Sequence, residues 1–140
     1  MDFPSLKEEM DIISRIDTIE RRKCERLVTL DQVESYIESA RQVFVSDAVK
    51  SYIVSLANHL RNSPDVKNAP STRASIALRK GSRALAFLGG RDHVIPDDVK
   101  TLAPYVFMHR VFLKPEAIAE EVTSAKVVSE MLERVLVPKE

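Results

Sequence analysis

Between Ala69 and Gly90 the chain reads APSTRASIALRKGSRALAFLGG, and this stretch limits the fold more than any other. Ser71 is placed to accept a hydrogen bond from a free first-turn amide, and Gly89 to take the left-handed conformation that ends a helix. Between them Ala74, Ala77, Leu78, Gly81, Ala84, Leu85 and Leu88 recur at helical spacing and form one narrow stripe. Small residues dominate that stripe. They let a neighbouring helix approach closely, so the pattern predicts a helix at the centre of a bundle.

Arg73 is the odd residue of the stretch. A cation in the first turn opposes the positive end of the helix dipole, at a cost of about 0.3–1 kcal/mol when exposed. An anion there would reverse the sign, because backbone amides, dipole and guanidinium would converge on one phosphate or carboxylate. The alternatives are that Arg73 pairs with a nearby acid or reaches into water.

The remaining sequence supplies helices of the same kind. Ser5 with Glu8, and Thr29 with Gln32, form capping boxes, each followed by an apolar stripe: Leu6, Met10, Ile13 and Ile16, then Leu30, Val33, Ile37 and Ala40. Ser46 caps a third helix with Val49, Tyr52, Ile53, Leu56, Ala57 and Leu60 inward, and His59 lies beside that stripe as a boundary residue. Val43 to Val45 reads as a connector through the core, and Val66 to Pro70 as a polar one. Pro96 opens another helix with Asp97 and Asp98 where the dipole favours carboxylates, and Pro104 predicts a kink or break in it. Ser124 caps a last helix that faces inward through Val127, Val128, Met131, Leu132 and Val135. The EAIAEEV stretch after Pro115 is helical in propensity but short, and its state stays open. The fold class is all-α, a bundle of five or six helices in a single domain over residues 1–140, with one short extended pairing near residues 93–95 and 110–113.

Charge and composition exclude several functions. With 21 basic and 21 acidic residues the chain of 140 has no net charge, so no global field draws it to nucleic acid or a membrane surface. The basic cluster Arg21, Arg22, Lys23 and Arg26 is offset by nearby acids and reads as solvated surface. The single Cys24 has no partner for a disulfide or a zinc site, which suits a reducing cytoplasm. Only three glycines occur, Gly81, Gly89 and Gly90, and none belongs to a phosphate-binding loop. His59, His93 and His109 lack metal-ligand spacing. No complete active site and no metal site is expected. Lys80 falls on the same side of its helix as Arg73, whereas Arg79 and Arg83 project opposite the apolar stripe and read as its solvated side.

Several segments together resemble a known family. Phe3-Pro4-Ser5 with the acidic helix after it, Ser71-Thr72-Arg73-Ala74, the run Gly90 to Val99 (GRDHVIPDDV), His109-Arg110 and the closing Leu132 to Pro138 are similar to the C-terminal helical lid of MoxR-family AAA+ ATPases. The resemblance covers nearly the whole chain. It implies that Arg73 is the sensor-2 arginine, which contacts the γ-phosphate of ATP, with Ser71, Thr72 and Lys80 as supporting phosphate or interface contacts. It further implies ATP and magnesium held by a nucleotide-binding core domain, a hexameric ring and a chaperone-like role on protein clients. The sequence departs from the family's usual pattern at Ala69 (glycine), Thr72 (proline) and Ile95 (a hydroxyl residue). Without Walker motifs the chain reads as a cytoplasmic piece of a longer ATPase, inactive alone. The competing reading is a free-standing helical module that binds nucleic acid or an acidic protein partner through Arg73, Lys80 and the Arg21–Arg26 cluster.

Overall fold

The computed structural model describes residues 3–21 and 25–138. Cys24, Arg22 and Lys23, singled out above, lie outside the described residues. Among the described residues there are seven α-helices and a two-stranded sheet: α1 (Leu6–Arg21), α2 (Leu30–Gln42), α3 (Asp47–Arg61), β1 (Val66–Asn68), α4 (Thr72–Leu88), α5 (Pro96–Phe107), β2 (Phe112–Leu113), α6 (Pro115–Ala119) and α7 (Ser124–Arg134). The all-α class holds. The count exceeds six because the EAIAEEV stretch contributes the short α6; two residues past its last one Glu121, a non-glycine residue, takes φ 58°.

The chain divides into two compact units, Met1–Val33 and Glu34–Glu140. The first holds α1 and the opening turn of α2. Both capping boxes form: Ser5 N–H donates to Glu8 Oε2 at 2.8 Å, and Thr29 N–H donates to Gln32 Oε1 at 2.8 Å. No residue of α1 is buried, so its stripe of Leu6, Met10, Ile13 and Ile16 is an exposed apolar face.

In the second unit α4 packs against α3 and α5, while α7 closes over α3 and α5. Ser46 caps α3, its Oγ accepting from Val49 N–H at 3.2 Å, and all six inward positions expected of this helix are buried. Val43 and Val45 enter the core and Phe44 between them stays out, as alternation along an extended segment requires.

The stripe of α4 is rotated from its expected place. Ala74, Leu78, Ser82 and Ala86 are the buried positions, while Ala84 and Leu88 are exposed. A hydrophobicity pattern cannot find a stripe that runs through Ser82, which is 0% exposed and whose hydroxyl has no partner among the described residues. Close helix approach does occur at Gly81, where an added Cβ would lie 3.1 Å from Leu102 Cδ1 of α5.

Other local expectations need correction. Ser71 is the N-cap of α4 by backbone, but its hydroxyl accepts nothing from the first turn. Gly90, not Gly89, takes the left-handed conformation (φ 70°), because the helix ends one residue later, with Gly90 N–H donating to Phe87 O and Arg91 N–H to Ala86 O, both at 2.9 Å. These two bonds are the paired ones of a Schellman ending. Thr123 rather than Ser124 caps α7, accepting from Lys126 N–H at 3.1 Å, and Ser124 Oγ donates instead to Val111 O. Helix α5 does not break at Pro104 but continues to Phe107 and into a 3₁₀ turn at Met108–Arg110.

The extended pairing also differs. Residues 112–113 do not meet 93–95; β2 pairs antiparallel with β1, Val66 opposite Leu113 and Asn68 opposite Phe112, inside the segment read as a polar connector. His93 instead bridges in parallel to Phe44, with Val94 N–H donating to Phe44 O at 3.0 Å. Two strands of two and three residues carry too little alternation to disclose their partner.

Ser46→Ala and Thr123→Ala should each cost about 1 kcal/mol in denaturant unfolding, whereas Ser71→Ala should cost no more than a few tenths. Gly81→Leu should cost about 1–3 kcal/mol by overpacking against Leu102.

Candidate functional site

Helix α4 is fixed at both ends, and its first turn is free. Pro70, immediately before the cap, is fully buried. Its carbonyl accepts from Arg61 Nε at 3.2 Å, while Arg61 Nη1 donates to Asn58 Oδ1 at 2.9 Å. Arg61 therefore carries the last turn of α3 across to the start of α4. Ala74, at 0% exposure, anchors the first turn from below, and its N–H donates to Ser71 O at 2.9 Å.

Above that anchor Ser71, Thr72 and Arg73 are all exposed. Arg73 has no ion pair or hydrogen bond among the described residues, so the pairing with a nearby acid weighed above is not made there. The first-turn amides that Ser71 Oγ leaves unengaged point the same way as the helix axis, toward the open end. Two exposed hydroxyls and one exposed guanidinium thus stand at the positive end of a 17-residue helix. Lys80 is exposed two turns along, about 10 Å on by helix rise, and belongs to a different hollow with Arg79 and Arg83.

At the other end of α4 the GRD segment makes a joint that sequence reading missed. Arg91 donates from Nη1 to Asp98 Oδ2 at 2.7 Å and from Nη2 to Asp98 Oδ1 at 2.6 Å. Asp98 Oδ2 also accepts from Ile95 N–H at 3.0 Å. The third residue of α5 thus reaches back and satisfies the amide of Ile95, whose own side chain caps nothing. The dipole argument had placed Asp98 at this helix start, but a carboxylate only 4% exposed needed a partner, and the neighbouring Arg91 of the same motif was the signal for it. Burial pushes the Asp98 carboxyl up. Hydrogen bonds from Arg91 and Ile95 and the charges of Arg91 and His93 outweigh it and hold the group below the usual carboxylate range. Arg110, which could have approached the same end, donates instead to the Val106 carbonyl of its own helix.

With this geometry in view, the comparisons are direct. Residues 58–131 match the family described as the AAA lid domain. The chain belongs to that family. The lid is 38% identical over 144 residues to the uncharacterised protein YeaC of Bacillus subtilis (strain 168), covering 99% of this chain and 43% of that protein. It is 33% identical over 146 residues to the chaperone MoxR1 of Mycobacterium tuberculosis, covering 98% of this chain and 38% of the other. The MoxR protein of Methylorubrum extorquens is 34% identical over 70 residues. A crystal structure of a Cytophaga hutchinsonii protein classed as an ATPase superposes with a TM-score of 0.85 over 99% of the lid and 45% of that chain; at 23% identity it speaks for the fold. The lid is thus of the MoxR type and spans less than half the length of these relatives.

Among the described residues of the lid no cluster of His, Cys, Asp and Glu could hold a metal ion, and no helix is long and apolar enough to cross a membrane.

The Arg91–Asp98 joint sets a pH dependence. Because the folded carboxyl titrates below its unfolded value, the stability it contributes is fully present above about pH 4 and is lost as pH falls through the lower folded value. Asp98→Asn should lower the denaturation midpoint at pH 7 and make it less dependent on pH between 5 and about 2.5, measured by urea titration across that range.

Proposed function

We propose that this lid closes over ATP bound by a nucleotide-binding core and reads the γ-phosphate through Arg73, as a sensor-2 arginine does. One observation carries the reading: Arg73 is an exposed cation, unpaired among the described residues, in the first turn of a helix that is fastened at both ends. Such a cation lacks a reason within the lid, and a terminal phosphate supplies one. The guanidinium fork matches phosphate oxygens, and the first-turn amides add donors on the same side. The membership in the AAA lid family and the similarity to MoxR proteins support an ATPase core as the source of that phosphate.

In this reading the core holds ATP and magnesium, and the lid contributes position. Loss of the γ-phosphate removes the anion that Arg73 contacts, so the closed arrangement loses its electrostatic tie and the lid swings as a rigid body. On this reading Ser71 and Thr72 donate hydroxyl bonds to the same phosphate, and Lys80 adds positive field from two turns away. A ring of such subunits, six in the type of machine the sequence resembles, would pass this swing to protein clients in a chaperone-like role.

The test uses the intact protein with its core. Arg73→Ala should reduce ATP hydrolysis at least about tenfold, and Arg73→Lys should restore only part of it because the ammonium lacks the fork. Unchanged steady-state hydrolysis in Arg73→Ala would overturn the assignment. Lys80→Ala should have the smaller effect of the two sites.

A further inference from the structure

On the flank of α4, Arg79, Lys80 and Arg83 line a hollow of about 520 Å³ together with Ile37, Ala40 and Arg41 of α2 and Ala84. Arg41 is occupied, its Nη1 lying 3.2 Å from Glu38 Oε2, and the other oxygen of Glu38 accepts from Gln42 Nε2 at 2.9 Å. Glu38 is thus engaged by residues of its own helix. Arg79, Lys80 and Arg83 have no ion pair among the described residues. Arg83 Nε is buried without an acceptor. Burial, and then the charge of Arg79, press the Arg83 guanidinium toward its neutral form. The like charges of Arg79 and Arg83, one turn apart on the wall of the hollow, call for an anion from outside.

The apolar lining decides what kind of anion. Ile37 is 49% exposed, and with Ala40 and Ala84 it offers aliphatic surface among the cations. A phosphodiester backbone has nothing to place against it, and the uncharged total of the chain gives a nucleic acid no wider field to follow. An amphipathic helix fits both halves. Arg79 and Arg83 stand one turn apart on α4, so carboxylates one turn apart on a partner helix would meet both, with an aliphatic side chain seated against Ile37 and Ala84.

We propose that this α2–α4 hollow is the docking site for an acidic amphipathic helix of a partner protein. It is separate from the first turn of α4 and does not depend on the sensor reading of Arg73.

The experiment is fluorescence anisotropy on the full chain with a labelled synthetic helical peptide, leucines at i, i+3 and i+4 spacing and glutamates flanking them. The peptide should bind, and replacing its glutamates by glutamine, or its leucines by serine, should each weaken binding at least about tenfold. The double substitution Arg79→Gln with Arg83→Gln should weaken it by a similar factor while the thermal melt is unchanged. Should that variant melt early, Ile37→Ser, at a half-exposed position, reads out the apolar half, and Arg79→Glu with Arg83→Glu tested against a lysine-flanked peptide reads out the charges by recovery of binding. No binding of the glutamate peptide, equal binding of the serine version, or displacement by a single-stranded oligonucleotide at lower concentration than by unlabelled peptide would each overturn the proposal.

Discussion

The bidentate pair of Arg91 with Asp98 is the interaction on which the rest of the lid depends. Arg91 sits directly after the Schellman ending of α4, and Asp98 is the third residue of α5. One carboxylate therefore joins the end of one helix to the start of the next, and also satisfies the amide of Ile95. The pair is costly to assemble, because burial disfavours the charge on Asp98. Once assembled it is costly to break, since loss of either partner strands the other. The direction of α5 relative to α4 is set at this joint, and the close approach of Gly81 to Leu102 is its continuation along the two helices.

What could be read in the sequence was what is decided locally. The boxes at Ser5–Glu8 and Thr29–Gln32, the Ser46 cap and the six inward residues of α3 all follow from chemistry within one or two turns. Arg73 was legible for the same reason, as a charge of the wrong sign for its place on a helix. Decisions taken across the fold were not legible. Ser82 is buried among what packs on α4 and Leu88 in the last turn is exposed; neither fact is written in its own hydrophobicity. Thr123 and Ser124 are equally good caps by type, and only the claim of the Val111 carbonyl on Ser124 separates them. Arg61 is by type a last-turn cation of α3, and only the Pro70 carbonyl beside it gives it a second task.

These features give α4 an unusual division of labour. Its buried positions at every fourth residue hold it to α3 and α5, so the backbone that carries its cations is fixed. Its tip and its flank present different chemistries. The tip offers amides, hydroxyls and a guanidinium to something small and strongly anionic. The flank mixes guanidinium groups with aliphatic surface, which suits a larger and partly apolar occupant. A single helix can thus face two ligands without either surface being spared for the core.

The short ladder between β1 and β2 has a kinetic consequence. It closes a loop that contains the whole of α4 and α5, so its few hydrogen bonds repay the entropy of that closure only after both helices have docked. The segment it pins leads directly into Pro70 and the first turn of α4. The ladder therefore adds to the start of α4 a tie that only a docked α4–α5 pair supplies, beside the local bond from Arg61 to Pro70, while the Arg91 end is secured by near neighbours in the chain.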